Sequence, residues 1–377
     1  MLKLPGNLTA ETFLDQHWQK QALFMPAALE RVRPAITRNE LAWLATLEDV
    51  ESRLVFVDRD RDVCHYHVET GPFDPEYLQS LPKHDWTLLV QDVEKHLPAM
   101  RSLLQHVPFI PDWRIDDIMV SFAAPGGGVG PHKDNYDVFL CQGIGARNWR
   151  YTSDDVVEDP GASDELALLS EFAGGQEVDT AEGDVLYLPP GTPHWGTAKR
   201  ACMTYSIGMR APRASEISFA PHGRSSSKDD FYRDPDLCTG EAVPGYISKQ
   251  SVKRAIRILD SSDYRDEDVA ESLGCFATLN KDWLKPDEAS ASEIEAALEL
   301  LRGGSRLPVH GMSQIAFDDR MLYVNGSSKA LPKNAARLLQ KICADRSLLL
   351  EVNVGVEQDE MLRWMLQLGA FDIPEPF

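Results

Sequence analysis

The sequence has no run of apolar residues approaching the roughly 18 that a membrane-spanning helix needs, although 43% of its 377 residues are hydrophobic. Material for buried cores is ample; material for a helical membrane anchor is not. The stretch MLKLPGNLTAETFLDQHW has no apolar segment followed by a small-residue cleavage site. No secretory signal is read there, and a cytoplasmic protein with no membrane partner is expected. Cysteine is sparse and scattered: Cys64, Cys141, Cys202, Cys238, Cys275 and Cys343 form no CxxC pair. That excludes a disulfide framework and a thiolate zinc site, leaving reduced thiols. Positive charge is also in short supply, with 38 Lys and Arg against 59 Asp and Glu, a net charge of −21. Such a surface repels a phosphate backbone, so no direct DNA binding is expected. The acidity either draws a basic protein partner or only keeps the chain soluble. No internal repeat or long low-complexity tract is present.

A chain of this length is expected to divide into two or three domains. Residues 1 to about 110 read as mixed α and β. Asn7-Leu8-Thr9-Ala10-Glu11 offers a cap before a helix over ETFLDQHWQK, and Thr37-Arg38-Asn39 precedes a second over ELAWLATLED. Two strands follow, Arg53 to Val57 and Asp62 to Val68, then a helix from Leu88 to Met100. From about Trp113 to Pro212 the pattern becomes short strands with Gly/Pro punctuation: Arg114 to Phe122, Tyr136 to Cys141, Arg147 to Tyr151, Gly183 to Leu188 and Cys202 to Met209. That spacing predicts a barrel or double-sheet jelly roll. RSSSKDDFYRDPDL is polar and turn-rich, as a linker would be. SKQSVKRAIRILDS and Ser290 to Leu301 have helical periodicity, and Gly303-Gly304 marks a boundary. Beyond it come a hairpin, SQIAFDDRMLYVNGS, and helices near Arg337 to Cys343 and Met361 to Leu368, an arrangement resembling a winged helix.

The chemistry gathers in two stretches. In PGGGVGPHKDNYD, His132 and Asp134 are two residues apart, and on a strand both point to one face, with Tyr136 joining them. In GDVLYLPPGTPH, a Pro/Gly corner can aim His194 back toward them. Two imidazoles and a carboxylate make the facial triad that holds Fe(II) and leaves positions open for a co-substrate and molecular oxygen. The competing reading is a set of unrelated polar residues at strand ends. GGGVG lacks the Lys and Ser/Thr ending of a phosphate loop, and is expected to be mobile backbone beside the metal. His65 and His67 form an HxH pair, but no third ligand follows at close range. Arg147 lies thirteen residues after Asp134. It either grips the distal carboxylate of 2-oxoglutarate, with Ser121 adding a hydroxyl, or is a surface charge. Periodicity does not choose between these. In IDDIMVSF, Asp117 and Met119 share a face with Ser121. Asp117 is then an inward carboxylate whose partner is a substrate cation or a structural arginine, Arg114 or Arg210, unless it lies at a solvated strand end.

DWRIDDIMVSF, PGGGVGPHKDNYDVFLCQGIGARNWR, GDVLYLPPGTPHWG and YSIGMRAP together resemble the bacterial JmjC-type ribosomal oxygenases, and more narrowly the ribosomal protein arginine hydroxylases. Weaker similarity runs through HWQK and FYRDPDL. The resemblance implies an α+β protein in three parts. Residues 1–212 would hold the catalytic double-stranded β-helix (a cupin-like jelly roll), 213–302 a helical dimerisation region, and 303–377 a winged-helix-like domain. It implies a homodimer using Fe(II), 2-oxoglutarate and molecular oxygen to hydroxylate an arginine Cβ on a basic large-subunit ribosomal protein, the one numbered sixteen. His132, Asp134 and His194 match the iron ligands, and Arg147 and Ser121 the 2-oxoglutarate contacts. Asp117, Met119 and Tyr136 match the substrate-arginine pocket. The alternatives are an oxygenase of another residue type or of a small molecule, and a non-catalytic scaffold on the same fold. Lys133 departs from the pattern, standing between the two ligands where an apolar residue is expected.

Overall fold

In the strand Ile115–Ala123, Ile118, Val120 and Phe122 are buried on one face, while Asp117, Met119 and Ser121 open on a cavity from the other. That alternation runs through the sheet to which the strand belongs. The computed structural model describes residues 1–374 except 30–35, 61–62, 160–167, 173, 220–229, 260–263 and 351–354. Part of the expected linker, residues 224–229, lies outside the described residues.

Contacts divide the chain into two units, residues 1–107 with 115–209, and residues 108–114 with 210–377. The first unit is built on nine strands: β1 Leu23–Met25, β2 Ser52–Asp60, β3 Val63–Thr70, β4 Trp86–Val90, β5 Ile115–Ala123, β6 Val138–Tyr151, β7 Gln176–Ala181, β8 Val185–Leu188 and β9 His194–Met209. They form one sheet in the order β1-β8-β6-β9-β5-β4-β2-β3, with β7 added on β6. Its spine is the antiparallel pair β6 and β9, matched from Val138↔Gly208 to Tyr151↔His194. The sheet curls, because residues of β2, β4, β5, β9 and β6 all line one cavity.

Several expectations are revised here. Leu88 to Val90 is strand: Trp86–Val90 is buried along its whole length between β2 and β5, which favours an apolar strand over a helix. Only Val93–His96 is α-helical in the predicted Leu88 to Met100 helix, and a 3-10 helix follows over Pro98–His106. The two separate strands expected at 136–141 and 147–151 are the single β6, broken by register shifts between Gln142 and Arg147. The two N-terminal helices are present but shorter than expected, Ala10–Gln16 and Arg38–Leu44, with Thr9 and Thr37 as caps accepting N–H bonds from Thr12 and Glu40.

In the second unit, helices Lys249–Ile258 and Asp266–Thr278 pack with Trp113 and Tyr232 in one core. Arg114 is fully buried there against Asp234 (Nε–Oδ2 2.8 Å, Nη2–Oδ1 3.1 Å). The predicted hairpin is present, with Ile315–Phe317 pairing Met321–Val324, and Ser327–Ala330 adds a third strand. Helices Ala336–Asp345 and Val356–Gln367 cover it. Helix Ala291–Arg302, opened by a Ser290–Glu293 capping box, gives Leu298 and Leu301 to the same core as Leu322, Leu339 and Met365. The chain on either side of Gly303 therefore shares one apolar cluster.

Candidate active site

Residues Pro131 to Asp137 are not a regular strand. His132 and His194 instead form an isolated antiparallel bridge, each N–H donating to the other's carbonyl at 2.9 and 2.8 Å. The Gly191 N–H binds the Asp134 carbonyl at 2.7 Å. Backbone bonding across the Pro/Gly corner, not strand alternation, thus brings the three side chains together. One potential ligand atom from each of His132, Asp134 and His194 lies within 4.8 Å of the others.

The imidazoles are oriented from behind. His132 Nδ1 is 3.0 Å from the Gly130 carbonyl, and His194 Nδ1 is 2.9 Å from that of Thr192. A carbonyl only accepts, so each Nδ1 carries the hydrogen and each Nε2 presents its lone pair. His194 Nε2 is 3.7 Å from Asp134 Oδ2. Burial, and then the neighbouring His132, lower the His194 pKa to about 4, keeping it a neutral ligand. Two neutral imidazole nitrogens and a carboxylate oxygen on one side of a point suit a divalent metal with open positions. The HxH pair stays apart from this, with His65 and His67 exposed on β3.

The far end of the triad loop is pinned by HWQK. Trp18 stacks on Tyr187, with ring centroids 5.9 Å apart. Gln19 Nε2 and the Tyr187 hydroxyl donate to the buried Asp137 carboxylate at 2.7 and 2.5 Å. Its near end is the glycine run, which is not free backbone. Gly126 N–H binds Ala198 O at 2.8 Å, and Ala198 N–H binds Gly127 O at 2.9 Å. A Cβ on Gly127 would lie 2.1 Å from the Trp86 carbonyl, and one on Gly128 2.4 Å from that of Gly196. The glycines let backbone approach backbone, which revises the expectation of a mobile ligand-facing loop.

The triad opens on a cavity of about 320 Å³ that also carries Ser121, Arg147, Asp117, Met119 and Tyr136. Arg147 is 3% exposed, and its Nε and Nη2 have no hydrogen-bond partner among the described residues. Its guanidinium lies 5.3 Å from the Trp149 ring centroid. A buried cation with free donors is a waiting anion site. Its direction comes from the irregular stretch of β6: Val138 and Leu140 line the cavity before the register shifts, Arg147 and Trp149 after them. Parity along β6 changes in between, as bulges do.

Asp117 forms no ion pair among the described residues; it accepts only the Asp92 N–H at 3.2 Å. Arg114 is bidentate on Asp234, and Arg210 donates to the carbonyls of Phe276 and Ala277 at 2.8 Å. Burial, then the like charges of Asp116, Asp92 and Glu94, push the Asp117 carboxyl well above the usual range. The Tyr136 hydroxyl is directed at Asp134, and burial raises its pKa too. Gly208 separates the two side chains: a Cβ there would be 3.1 Å from Asp117 Oδ1 and 3.9 Å from the Tyr136 ring. Lys133 is exposed at the rim. The sequence reading did not single out Arg53, Gln91, Thr87, Trp149, Thr204 or Gly208. For Thr204 and Gly208 a signal existed, since β9 alternates and pairs Ser121 and Asp117 directly.

Residues 102–217 match the JmjC domain and residues 257–373 the ROXA-like winged helix. The ribosomal protein uL16 3-hydroxylase of Escherichia coli (strain K12) is 32% identical over 329 residues, covering 86% of each chain. The chain belongs to the JmjC-type ribosomal oxygenases. A probable ribosomal oxygenase of Haemophilus influenzae is 34% identical over 69% of this chain and 62% of its own. The X-ray structure of E. coli YcfD aligns with a TM-score of 0.77 and 29% identity, over 98% of this chain and 99% of that one. Another YcfD structure, in complex with cobalt and 2-oxoglutarate, aligns with a TM-score of 0.73 and 30% identity over 99% of each. As a member of this family the chain is a 2-oxoglutarate-dependent oxygenase, with a JmjC cupin-like fold and a C-terminal winged helix.

Proposed function

We propose that this chain is an Fe(II)- and 2-oxoglutarate-dependent hydroxylase acting on an arginine Cβ of ribosomal protein uL16, working in the cytoplasm as a homodimer. The observation that carries the reading is one cavity holding a His/Asp/His cluster, a buried guanidinium whose Nε and Nη2 have no hydrogen-bond partner and a carboxylate with no ion pair among the described residues. Arg147, with Ser121, binds the distal carboxylate of 2-oxoglutarate, while His132, Asp134 and His194 hold the metal. The chemistry a bound Fe(II) supplies is oxygen activation coupled to conversion of 2-oxoglutarate to succinate and carbon dioxide.

The rest falls to the protein. Asp117 takes the substrate guanidinium through two charge-assisted hydrogen bonds, a geometry a lysine ammonium does not reproduce. The flat group lies between Met119 and the Tyr136 ring, with cation–π support of roughly 0.5–2 kcal/mol. The gap beside Gly208 admits it. Held at its far end, the side chain presents Cβ to the metal. An acidic enzyme with such a slot suits a basic ribosomal protein.

The test is turnover of a uL16 peptide with Fe(II), 2-oxoglutarate and oxygen, read by mass spectrometry as a gain of one oxygen and by succinate release. Product is expected with arginine and nearly none when lysine replaces it. Equal turnover of the two peptides overturns the arginine assignment, and succinate independent of any peptide overturns the protein-hydroxylase reading.

A further inference from the structure

The cavity contains more unpaired donor capacity than Arg147 and Ser121 provide. Among the described residues, four of its buried polar atoms have no hydrogen-bond partner: Arg147 Nε and Nη2, Trp149 Nε1 and Thr87 Oγ1. Thr87 is fully buried and Trp149 is 4% exposed. A buried N–H or O–H left unpaired is destabilising, so several around one cavity point to a ligand that satisfies them.

Strand pairing places them around one floor. Thr87 pairs Ala123, Ala123 pairs Cys202, and Arg147 pairs Ala198; directly opposed residues share a face of the sheet. Ala123, Ala198 and Cys202 are themselves in contact, all buried. Along these pairings only small side chains stand between Thr87 on β4 and Arg147 on β6. Trp149, two residues on from Arg147, lies under its guanidinium and 6.0 Å from the His194 ring centroid. Its indole stands between the anion site and the metal cluster.

We infer that the Trp149 indole N–H and the Thr87 hydroxyl complete the carboxylate pocket, each donating to the distal carboxylate of 2-oxoglutarate that Arg147 holds. This rests on the co-substrate reading above. The Nε and Nη2 edge of Arg147 occupies two of the roughly four acceptor positions of a carboxylate, and Trp149, Thr87 and Ser121 share the other two. The pocket is then specific for a carboxylate at a fixed reach from the metal, because neither residue touches the 2-oxo acid end.

The experiment titrates 2-oxoglutarate, and separately 2-oxopentanoate, which lacks the distal carboxylate, into Mn(II)-loaded protein by calorimetry. Trp149→Phe keeps the ring and removes the N–H; Thr87→Val keeps the shape and removes the hydroxyl. Each is expected to raise the Kd for 2-oxoglutarate about ten-fold, the loss of one hydrogen bond to a charged group. The Kd for 2-oxopentanoate should not move, and Thr87→Ser should restore wild-type binding. A variant that binds 2-oxoglutarate within two-fold of wild type overturns that residue's role. Equal losses for both ligands overturn the pocket in favour of general distortion. Wild-type protein with no preference for 2-oxoglutarate overturns the co-substrate reading itself, an outcome distinct from the other two.

Discussion

At the scale of single residues, the site works through charges left without partners. Several buried ions elsewhere are closely paired: Arg114 with Asp234, Arg254 with Asp236 and Glu241, Lys95 with Asp92. In the cavity, Arg147 and Asp117 are left open. Burying an ion without compensation is costly, so these two mark where a ligand supplies the missing charge. Asp117 carries a consequence for pH. Its carboxyl is held above the usual range by burial and by Asp116, Asp92 and Glu94, Lys95 being engaged by Asp92. Below that raised pKa Asp117 is neutral and cannot act as the counter-ion of a guanidinium. Affinity for an arginine peptide is therefore expected to rise with pH as Asp117 ionises, then level off. Tyr136, its pKa raised, stays neutral throughout. Calorimetric peptide titrations over the mildly acidic to neutral range check this. Asp117→Asn should bind weakly and lose the rise; a variant that keeps the wild-type pH profile assigns the titration to another group.

At the scale of elements, the glycine run decides how the metal cluster is held. Gly127 and Gly128 lie against the carbonyls of Trp86 and Gly196, so His132 follows a segment fixed to both β4 and β9. A methyl at 127 has backbone, not a flexible side chain, in its way. Gly127→Ala is expected to lower stability by about 1–3 kcal/mol, as overpacking does, and to weaken metal binding with it. A thermal melt and a Co(II) titration measure the two effects; a variant with wild-type values for both would show that the loop has room it lacks in this structure. The same element-level view explains Arg147. Alternation counted from Val138 puts position 147 on the wrong face, and only the register shifts in β6 return it to the cavity.

At the scale of the whole molecule, the helices expected to form a dimer interface use much of their apolar surface within the chain. Val252 and Ala255, Leu273 and Ala277, and Leu298 and Leu301 are all in internal cores. Between Ser248 and Leu301, the large apolar residues left exposed among those described are Leu279, Trp283 and Leu300. The proposed homodimer would bury these across a two-fold axis. Light scattering at micromolar concentration is expected to give twice the 42.1 kDa chain mass, and Trp283→Glu to lower it toward the monomer. A monomeric wild-type mass counts against the dimer and leaves the site untouched.

The sequence by itself determined the features that depend on near neighbours. The periodicity of ETFLDQHWQK, ELAWLATLED and Ser290 to Leu301 announced helices, which Thr9, Thr37 and Ser290 cap by accepting from backbone three residues on. The alternation of IDDIMVSF put Asp117, Met119 and Ser121 on one face, where they are found. The spacing of HxD and the Pro/Gly corner before His194 named the three clustered residues. The tertiary structure decided what depends on distant backbone. His132 meets His194 through a bridge, which no local periodicity encodes. Trp86 to Val90 is strand because β2 and β5 flank it, which local helix propensity does not see. Whether Arg147 turns inward, and whether Asp117 finds a partner, rests on register shifts and on charges brought in from other elements. A single sequence carries no direct record of either, because both are set by pairings between residues far apart in the chain.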